Sequence, residues 1–305
     1  MKVVVAGASG FLGVPLCARL LAEGHSVSAL SRDPDAAAQL LPSVRCLRWD
    51  GRSLGDWAAA VGEADGVVNL AGASVGERRW TAAYKQEIRS SRIEATRALA
   101  AALGGSHRPG RVLVSASGVG YYGDTGDAEV SEDTPAGSDF LAEVCQAWEG
   151  EAHRAAAAGV RVVAVRTGIV LGAGGGALAR MVTPFKLLVG GPIGSGRQWM
   201  PWIHRDDEIA LLVFALTTAA ARGPMNATAP SPVRMREFAQ ALGRALSRPA
   251  FARVPGFMLR LAVGEFAQAL LGGQRALPRA ACRWGFQFRY QTLEQALAAI
   301  FPRSR

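Results

Sequence analysis

Gly7-Ala8-Ser9-Gly10-Phe11-Leu12-Gly13 sets three glycines at three-residue intervals, directly after the apolar run Lys2–Ala6 and at the head of an apolar-periodic helix. A glycine pattern alone says little. Strand, turn and helix in this order are the context a dinucleotide-binding βαβ unit requires. Gly7 permits the sharp turn, Gly10 lets the backbone approach a pyrophosphate, and Gly13 lets the helix pack closely on the strand, whose amides then face the phosphates. Gly7, Ser9, Gly10, Phe11, Leu12 and Gly13 are therefore expected to hold the pyrophosphate of a dinucleotide. The competing reading is a tight turn in a Rossmann-like domain that binds nothing.

Alternation continues beyond the turn. His25–Leu30, Val44–Trp49, Gly66–Leu70, Arg111–Ser115 and Val160–Arg166 read as further strands, with long helices over Thr81–Leu103 and Phe140–Ala158 between them. Strands alternating with helices imply a parallel sheet covered on both faces. The expected fold is an α/β doubly wound parallel sheet (Rossmann) with a smaller C-terminal α/β lobe. Residues 1–235 form the nucleotide-binding domain with part of the substrate region, and 236–305 the lobe. After Arg166 glycines interrupt a short helix at Gly172–Gly176 and Gly190–Gly196, and Trp199–His204 looks extended. Asp206 is expected to cap a helix over Asp207–Thr217. The lobe reads as helix Met235–Leu246, strand Ala250–Val254, helix Gly256–Leu271 and helix Leu293–Ile300.

The second strand ends in Ser31-Arg32. A carboxylate there hydrogen-bonds the ribose 2′-OH of NAD, whereas an arginine pairs with the 2′-phosphate of NADP. Ser31 and Arg32 thus point to NADP(H). Asp33 comes one step later, before Pro34, and suits a helix cap or turn. Asp50 reads either as an adenine contact or as a turn residue. Leu70-Ala71-Gly72, after the fourth strand, supplies small residues beside which an adenosine ribose passes.

Charge is unevenly spread. The chain carries +9 overall, yet from Arg222 onward there are 13 Arg, no Lys and 3 Glu, a net of +10, which leaves −1 for the rest. These arginines are scattered among apolar residues at helical spacing, so they read as a solvated helical surface and not as a nucleic-acid footprint. Four cysteines (Cys17, Cys46, Cys145, Cys282) form no C-x-x-C pair, which suits reduced thiols better than a disulfide framework or a metal site. Val3-Val4-Val5 already reads as the first strand, so no signal peptide is expected, and the longest apolar run, Ile209–Leu216, is far short of the ~20 residues that span a bilayer. A cytoplasmic protein with no membrane partner is the expectation.

Ala6–Gly13, Asn69–Gly72, Ser115-Ala116-Ser117 with Tyr121-Tyr122-Gly123, Arg166-Thr167-Gly168-Ile169-Val170-Leu171-Gly172 and Gly190-Gly191-Pro192-Ile193-Gly194-Ser195-Gly196 running on to Trp202-Ile203-His204 are all present. Together they resemble the SDR39U1/YfcH-like epimerase-family proteins, atypical extended short-chain dehydrogenase/reductases, over essentially the whole chain. Pro255–Ile300 resembles that family's small C-terminal domain. The resemblance implies a Rossmann fold, NADP binding, a nucleotide-sugar epimerase or reductase activity, and cofactor contacts at Ser31, Arg32, Leu70, Ala71 and Val170. It adds Glu87 and Arg92, which the residues alone read equally well as solvated helix charges.

The wider superfamily uses Tyr-x-x-x-Lys, the Tyr as general acid/base and the Lys to depress its pKa. Here Ile88, Thr125, Gly126 and Glu294 stand four residues after Tyr84, Tyr121, Tyr122 and Tyr290, and the lysines are Lys2, Lys85 and Lys186 only. The dyad is absent. Ser117, at the carboxyl edge of the sheet, is a candidate to polarise a substrate, and Tyr121 or Tyr122 to donate a proton if a cation or the cofactor ribose lowers its pKa. Glu143 and Cys145 lie near the missing dyad, but read better as a surface charge and a core residue. Lys186, Arg197, Trp199 and His204 are candidates for the substrate pocket. Against these stand a snorkelling Lys186 and a capping arrangement of His204 with Asp206.

Two functions follow. One is an NADP-dependent oxidoreductase or epimerase acting on a small polar carbonyl or nucleotide-linked substrate, which the Gly/Trp/His pocket favours. The other is an NADP(H)-sensing regulatory or interaction protein, which the missing dyad favours. The enzyme is the reading adopted, and the two long helices flanking the fourth and fifth strands offer a homodimer face.

Overall fold

Val3, Val4 and Val5 are all buried, so this β-branched run forms a central strand with helices on both faces. The computed structural model describes residues 1–105 and 108–302. It begins with β1 (Lys2–Ala6), α1 (Gly13–Ala22), β2 (Ser26–Ser31), α2 (Pro34–Leu40), β3 (Arg45–Arg48), α3 (Trp57–Glu63), β4 (Gly66–Asn69), α4 (Ala82–Gly104) and β5 (Val112–Gly118). A 3₁₀ turn over Val119–Tyr122 leads to β6 (Glu129–Val130), α5 (Phe140–His153), β7 (Arg161–Thr167), β8 (Ile169–Leu171) and α6 (Gly176–Lys186). Then come β9 (Trp199–Met200), β10 (Trp202–His204), α7 (Arg205–Thr217), β11 (Gly223–Ala227), β12 (Val233–Arg234) and α8 (Met235–Leu246). The chain closes with α9 (Gly256–Val263), α10 (Phe266–Leu271), β13 (Arg275–Ala276), α11 (Arg279–Arg283) and α12 (Leu293–Ile300).

Seven strands join in the order β11-β7-β5-β4-β1-β2-β3, every pair parallel. Side chains alternate across the sheet, as the strand period of two dictates. Val3 and Val5 pack with Leu16 and Leu20 of α1 and Leu212 and Leu216 of α7. Val4 and Ala6 face Trp57 and Val61 of α3 and Leu99 and Leu103 of α4. The chain steps from β1 to β2 to β3 on one side, then returns to β4 on the other. Open α/β sheets leave a crevice beyond their strand ends at such a reversal.

The doubly wound parallel sheet is as expected, with one more strand in it. β11, Gly-Pro-Met-Asn-Ala, has neither alternation nor a β-branched residue, yet it pairs along β7 from Gly223↔Val163 to Ala227↔Thr167. Short helices α2 and α3 also had no sequence signal long enough to read. In the lobe, Ala250–Val254 is not a ladder strand. Its amides at Ala252 and Val254 go to Gly190 and Pro192 carbonyls, with a single bridge Ile193↔Val254. The helix expected over Gly256–Leu271 breaks at Gly264, whose φ of +65° leaves the helical region. The helix after Asp139 ends at His153 and tightens into a 3₁₀ turn over Arg154–Ala158. One apolar cluster crosses position 235, gathering Leu178, Phe185 and Trp202 with Phe238, Leu242, Leu293 and Leu297. Among the described residues no helix is long and apolar enough to cross a membrane.

Candidate functional site

The turn after β1 is fixed by what a side chain would strike. Gly7 has φ +77°, and a Cβ there would lie 2.8 Å from the Leu70 carbonyl carbon. A Cβ on Gly13 would lie 2.3 Å from Gly7 O, so only glycine lets α1 sit this close to the turn. No side chain caps α1. The amides of Phe11 and Leu12 find no protein acceptor among the described residues, which leaves the positive end of the helix open to an anion.

Over this turn lies a cleft of about 940 Å³ at the β1/β4 reversal. Of the expected cofactor residues, Gly7, Ser9, Gly10, Ser31, Arg32, Leu70, Ala71, Gly72 and Glu87 line it. Arg32 has no carboxylate partner in the described residues. Asp33 also lines the cleft, and its Oδ1 accepts from Ala36 N at 3.1 Å to cap α2. Asp50 is a turn residue whose Oδ1 accepts from Arg52 N and Ser53 N, and those bonds hold its pKa below the usual carboxylate range. It also stands on the cleft wall with Arg52 and Trp49.

Five expected cofactor residues lie off this cleft. Gly13 is buried against the turn, and half-buried Leu12 stands at the start of α1 outside the cleft lining. Phe11 reaches across to β8–α6, where a Cβ on Gly175 would meet its ring at 2.7 Å, and Arg205 stands 5.4 Å from its centroid. Val170 pairs with Ile203 in the short β8–β10 ladder. Arg92 donates from Nη1 to Ile88 O at 2.9 Å and lies 5.1 Å over the Trp148 ring. Burial without a carboxylate depresses its pKa. Its side chain packs against Gly72, where a Cβ would lie 3.1 Å from Arg92 Cγ. Glu87 forms a 3.8 Å ion pair with Arg78 on the cleft wall, so it is more than a free surface charge.

At the ends of β5 and β7 is a buried polar network. Ser117 Oγ donates to Glu149 Oε1 at 2.7 Å, and Arg166 grips the same carboxylate twice, each contact 2.9 Å. Arg166 Nη1 also donates to the Tyr122 hydroxyl at 3.0 Å, and that hydroxyl donates to Asn226 Oδ1 at 2.7 Å. Ser117 was a candidate to polarise a substrate; its proton is committed to Glu149. Tyr122 was a candidate donor with a lowered pKa. Arg166 does pull it down, but burial outweighs the cation and the phenol is pushed up to about 12. Tyr121 differs. Its ring faces the Arg166 guanidinium at 3.4 Å, and its hydroxyl meets no partner among the described residues.

The four expected substrate-pocket residues do not line the cleft. Lys186 is exposed at the end of α6. Arg197 is exposed and its carbonyl accepts from Arg234. Trp199 is pinned between Arg234 and Arg275, at 4.4 and 4.9 Å, and donates to Asp127 Oδ1 at 3.1 Å. His204, not Asp206, caps α7: its Nδ1 accepts from Asp206 N at 3.1 Å, and burial lowers its pKa. An imidazole that accepts there is neutral, and it stacks on Tyr290 at 3.8 Å.

Sequence reasoning passed over Glu149, Asn226 and Glu208. Arg166 in the apolar strand Val-Val-Ala-Val-Arg was the available signal for the first, because a buried guanidinium demands a carboxylate. Glu208 is fully buried on α7; its Oε1 accepts from Thr167 Oγ1 at 2.8 Å and its Oε2 has no partner.

Residues 3–227 match the NAD dependent epimerase/dehydratase family, and residues 254–300 match a domain of unknown function (DUF1731). An Arabidopsis thaliana relative described as "Epimerase family protein SDR39U1 homolog, chloroplastic" is 43% identical over 302 residues, covering 98% of this chain and 86% of its own. The crystal structure of the human epimerase family protein SDR39U1 (isoform 2) with NADPH superposes with a TM-score of 0.88 at 37% identity, covering 98% of this chain and 99% of that one. A structure described as a nucleoside-diphosphate sugar epimerase from Corynebacterium glutamicum superposes at 0.80 with 32% identity, covering 99% of this chain and 58% of that one.

Proposed function

Because the chain belongs to the NAD dependent epimerase/dehydratase family, we propose that it binds NADP(H) at the β1/β4 reversal and acts as an oxidoreductase or epimerase on a small polar substrate, carbonyl or nucleotide-linked. One observation carries the cofactor reading. Arg32 stands on the wall of the cleft without a carboxylate partner among the described residues, while one oxygen of the neighbouring Asp33, on the same wall, is engaged in capping α2. An unpaired guanidinium beside Ser31 suits a 2′-phosphate, and the cap bond of Asp33 competes with a 2′-OH for that carboxylate. The Gly7–Gly13 turn and the open amides of Phe11 and Leu12 take the pyrophosphate, with Leu70, Ala71 and Gly72 along the adenosine. The human relative solved with NADPH supports this assignment. Arg92 packs on Gly72 from α4 and Glu87 shares the cleft wall with it, whereas Val170 lies off the cleft and carries no part of this reading.

Bound NADP(H) supplies hydride transfer at the nicotinamide, and the chain's part is orientation and proton handling. With Ser117 and Tyr122 tied into the Glu149–Arg166 network, Tyr121 is the hydroxyl left to serve a substrate oxygen. The Corynebacterium relative supports a nucleotide-linked substrate. Four unpaired cysteines suit a reducing, cytoplasmic compartment.

A second reading rests on that same network: a protein that binds NADP(H) to report its level, with its serine and buried tyrosine serving structure. Titrating the purified chain with NADPH and NADH by fluorescence, then following NADPH oxidation over a panel of carbonyls and nucleotide sugars, separates the two. Tighter NADH than NADPH binding removes the NADP assignment. Tight NADPH binding with no oxidation across the panel favours the sensor.

A further inference from the structure

Ten large hydrophobic side chains stand exposed among the described residues, and seven come from two stretches: Leu187, Leu188 and Val189 after α6, and Phe251, Phe257, Met258 and Leu261 before and along α9. The stretches are joined edge to edge. Ala252 N donates to Gly190 O and Val254 N to Pro192 O, both at 3.1 Å, and α9 leaves this pairing at Gly256. No residue of α9 is buried, so its apolar side chains contribute little to the core. Leu188, held at φ +63°, is one of two non-glycine residues with positive φ among those described. A branched apolar residue strained outward into water marks a place where something other than folding selects the conformation. Contiguous apolar surface of this kind marks an interaction face.

The charge around it has one sign. Residues 152–205 and 238–264 contain no Asp or Glu. Lys186, Arg248, Arg253 and Arg260 are exposed in these stretches and pair with no carboxylate among the described residues. The acidic side chains that flank the second stretch are engaged: Glu237 accepts from Arg234 N in its helix cap, and Glu265 pairs with Lys85. The basic excess of the C-terminal part thus gathers, in part, around the apolar face.

Against the expectation of no membrane partner, we infer that this face docks on an anionic lipid bilayer, with Leu187–Val189, Phe251 and the α9 residues Phe257, Met258 and Leu261 at the headgroup boundary and the four cations against lipid phosphates. An interfacial helix needs apolar residues on one side and Lys or Arg beside them, and anionic lipid attracts each cation. A second copy of the chain fits poorly, because a two-fold contact sets the same unpaired cations against each other. A grooved protein partner fits poorly too: Phe251 and Arg248 border only a shallow, open depression, and the other six side chains, 52–72% exposed, project from the surface. The inference stands independently of the cofactor reading.

Co-sedimentation of the full chain with phosphatidylglycerol/phosphatidylcholine vesicles, against phosphatidylcholine alone, tests it. The anionic vesicles should retain about tenfold more protein or more at low salt. Phe257→Ser with Leu261→Ser, and separately Arg248→Gln with Arg260→Gln, should each abolish most of that binding while melting temperature and NADPH binding stay unchanged. Equal binding to both vesicles, or none, overturns the inference. So does anionic binding that survives the Phe257/Leu261 change, which is mere adsorption of a basic protein. A monomer–dimer equilibrium in sedimentation velocity that Leu261→Ser abolishes assigns the face to a second copy and also overturns it, as does an acidic protein that binds the face where vesicles do not.

Discussion

Arg166 and Glu149 are joined by two parallel 2.9 Å hydrogen bonds, one from Nε and one from Nη2, in a setting where Arg166 exposes 3% of its side chain and Glu149 12%. The bond ties β7 to α5 directly beneath the strand ends that border the site. Breaking a buried pair from one side strands a charge, which costs about 3–5 kcal/mol, whereas replacing both partners by apolar residues is often close to neutral. Glu149→Ala should therefore lower unfolding free energy by about that amount, and Arg166→Leu with Glu149→Leu should recover most of it. Urea denaturation of the three proteins checks this. A double variant no more stable than the single one would mean that the network is held by its hydrogen bonds to Ser117 and Tyr122.

Arg32 carries the cofactor preference. A hydrogen bond to a charged group contributes about 1.5–3 kcal/mol, so Arg32→Ala should weaken NADPH binding by about 10- to 100-fold. NADH, which has no 2′-phosphate, should change by no more than about twofold on the same argument. Paired fluorescence titrations give both numbers. An equal loss for the two cofactors would place Arg32 on the adenine instead.

Of the three candidate hydroxyls, Tyr121 is the one without a partner among the described residues. If the protein turns over a substrate, Tyr121→Phe should lower kcat by about 10²-fold or more, the range of a general acid, with NADPH affinity unchanged. Ser117→Ala should leave kcat within a fewfold, since its proton already goes to Glu149. Steady-state kinetics on the first substrate found decide it, and the reverse ranking of the two variants would return the role to Ser117.

What the sequence made legible follows from which signals are local. The Gly7–Gly13 turn, Arg32 and the alternation of strands and helices depend on neighbours within a few residues, and all three sit in the fold where the pattern placed them. β11 was missed because Gly-Pro-Met-Asn-Ala becomes a strand through β7 alongside it, a tertiary effect with no local cue. Ser117 looked like chemistry because it closes a strand at the ligand edge, and Tyr122 because a phenol near that edge can donate a proton. Their real partners, Glu149, Arg166 and Asn226, lie 32, 44 and 104 positions away and no spacing rule joins them. His204 was the intermediate case. A histidine two residues before an aspartate suggested a cap, but which of the two did the capping depended on burial against Tyr290.

Gly13→Ala should be damaging out of proportion to one methyl. The new Cβ would lie 2.3 Å from Gly7 O and 2.5 Å from Ala8 O, both backbone atoms that yield only if the turn moves. Overpacking of this kind costs about 1–3 kcal/mol, and a displaced turn also misplaces the open amides. The expectation is a lower melting temperature together with loss of NADPH binding by at least about tenfold, because the pyrophosphate site is the turn itself. Thermal denaturation with and without NADPH reads both effects. A variant that melts lower but keeps its full NADPH-dependent shift would show that the turn absorbs the methyl without moving.

Glu208 gives the fold a pH dependence of unusual sign. Its carboxyl is fully buried, and desolvation raises its pKa from 4.5 to about 8, against the opposing hydrogen bond from Thr167. Between these two values the native chain holds a proton that the unfolded chain has released. Native binds more protons than unfolded, so stability falls as pH rises through this window, at up to ~1.4 kcal/mol per pH unit, and the full cost is present above about pH 8. Most buried carboxylates behave the other way, because pairing lowers their pKa and acid undoes them. Glu208→Gln should remove this group's slope: little different from the parent near pH 5, more stable than it by a few kcal/mol near pH 9. Unfolding free energies of the two proteins, measured from pH 5 to 9, should diverge up to about pH 8 and then run parallel. Curves parallel over the whole range would mean that the unpartnered Oε2 meets a cation or water and the carboxyl ionises inside the fold.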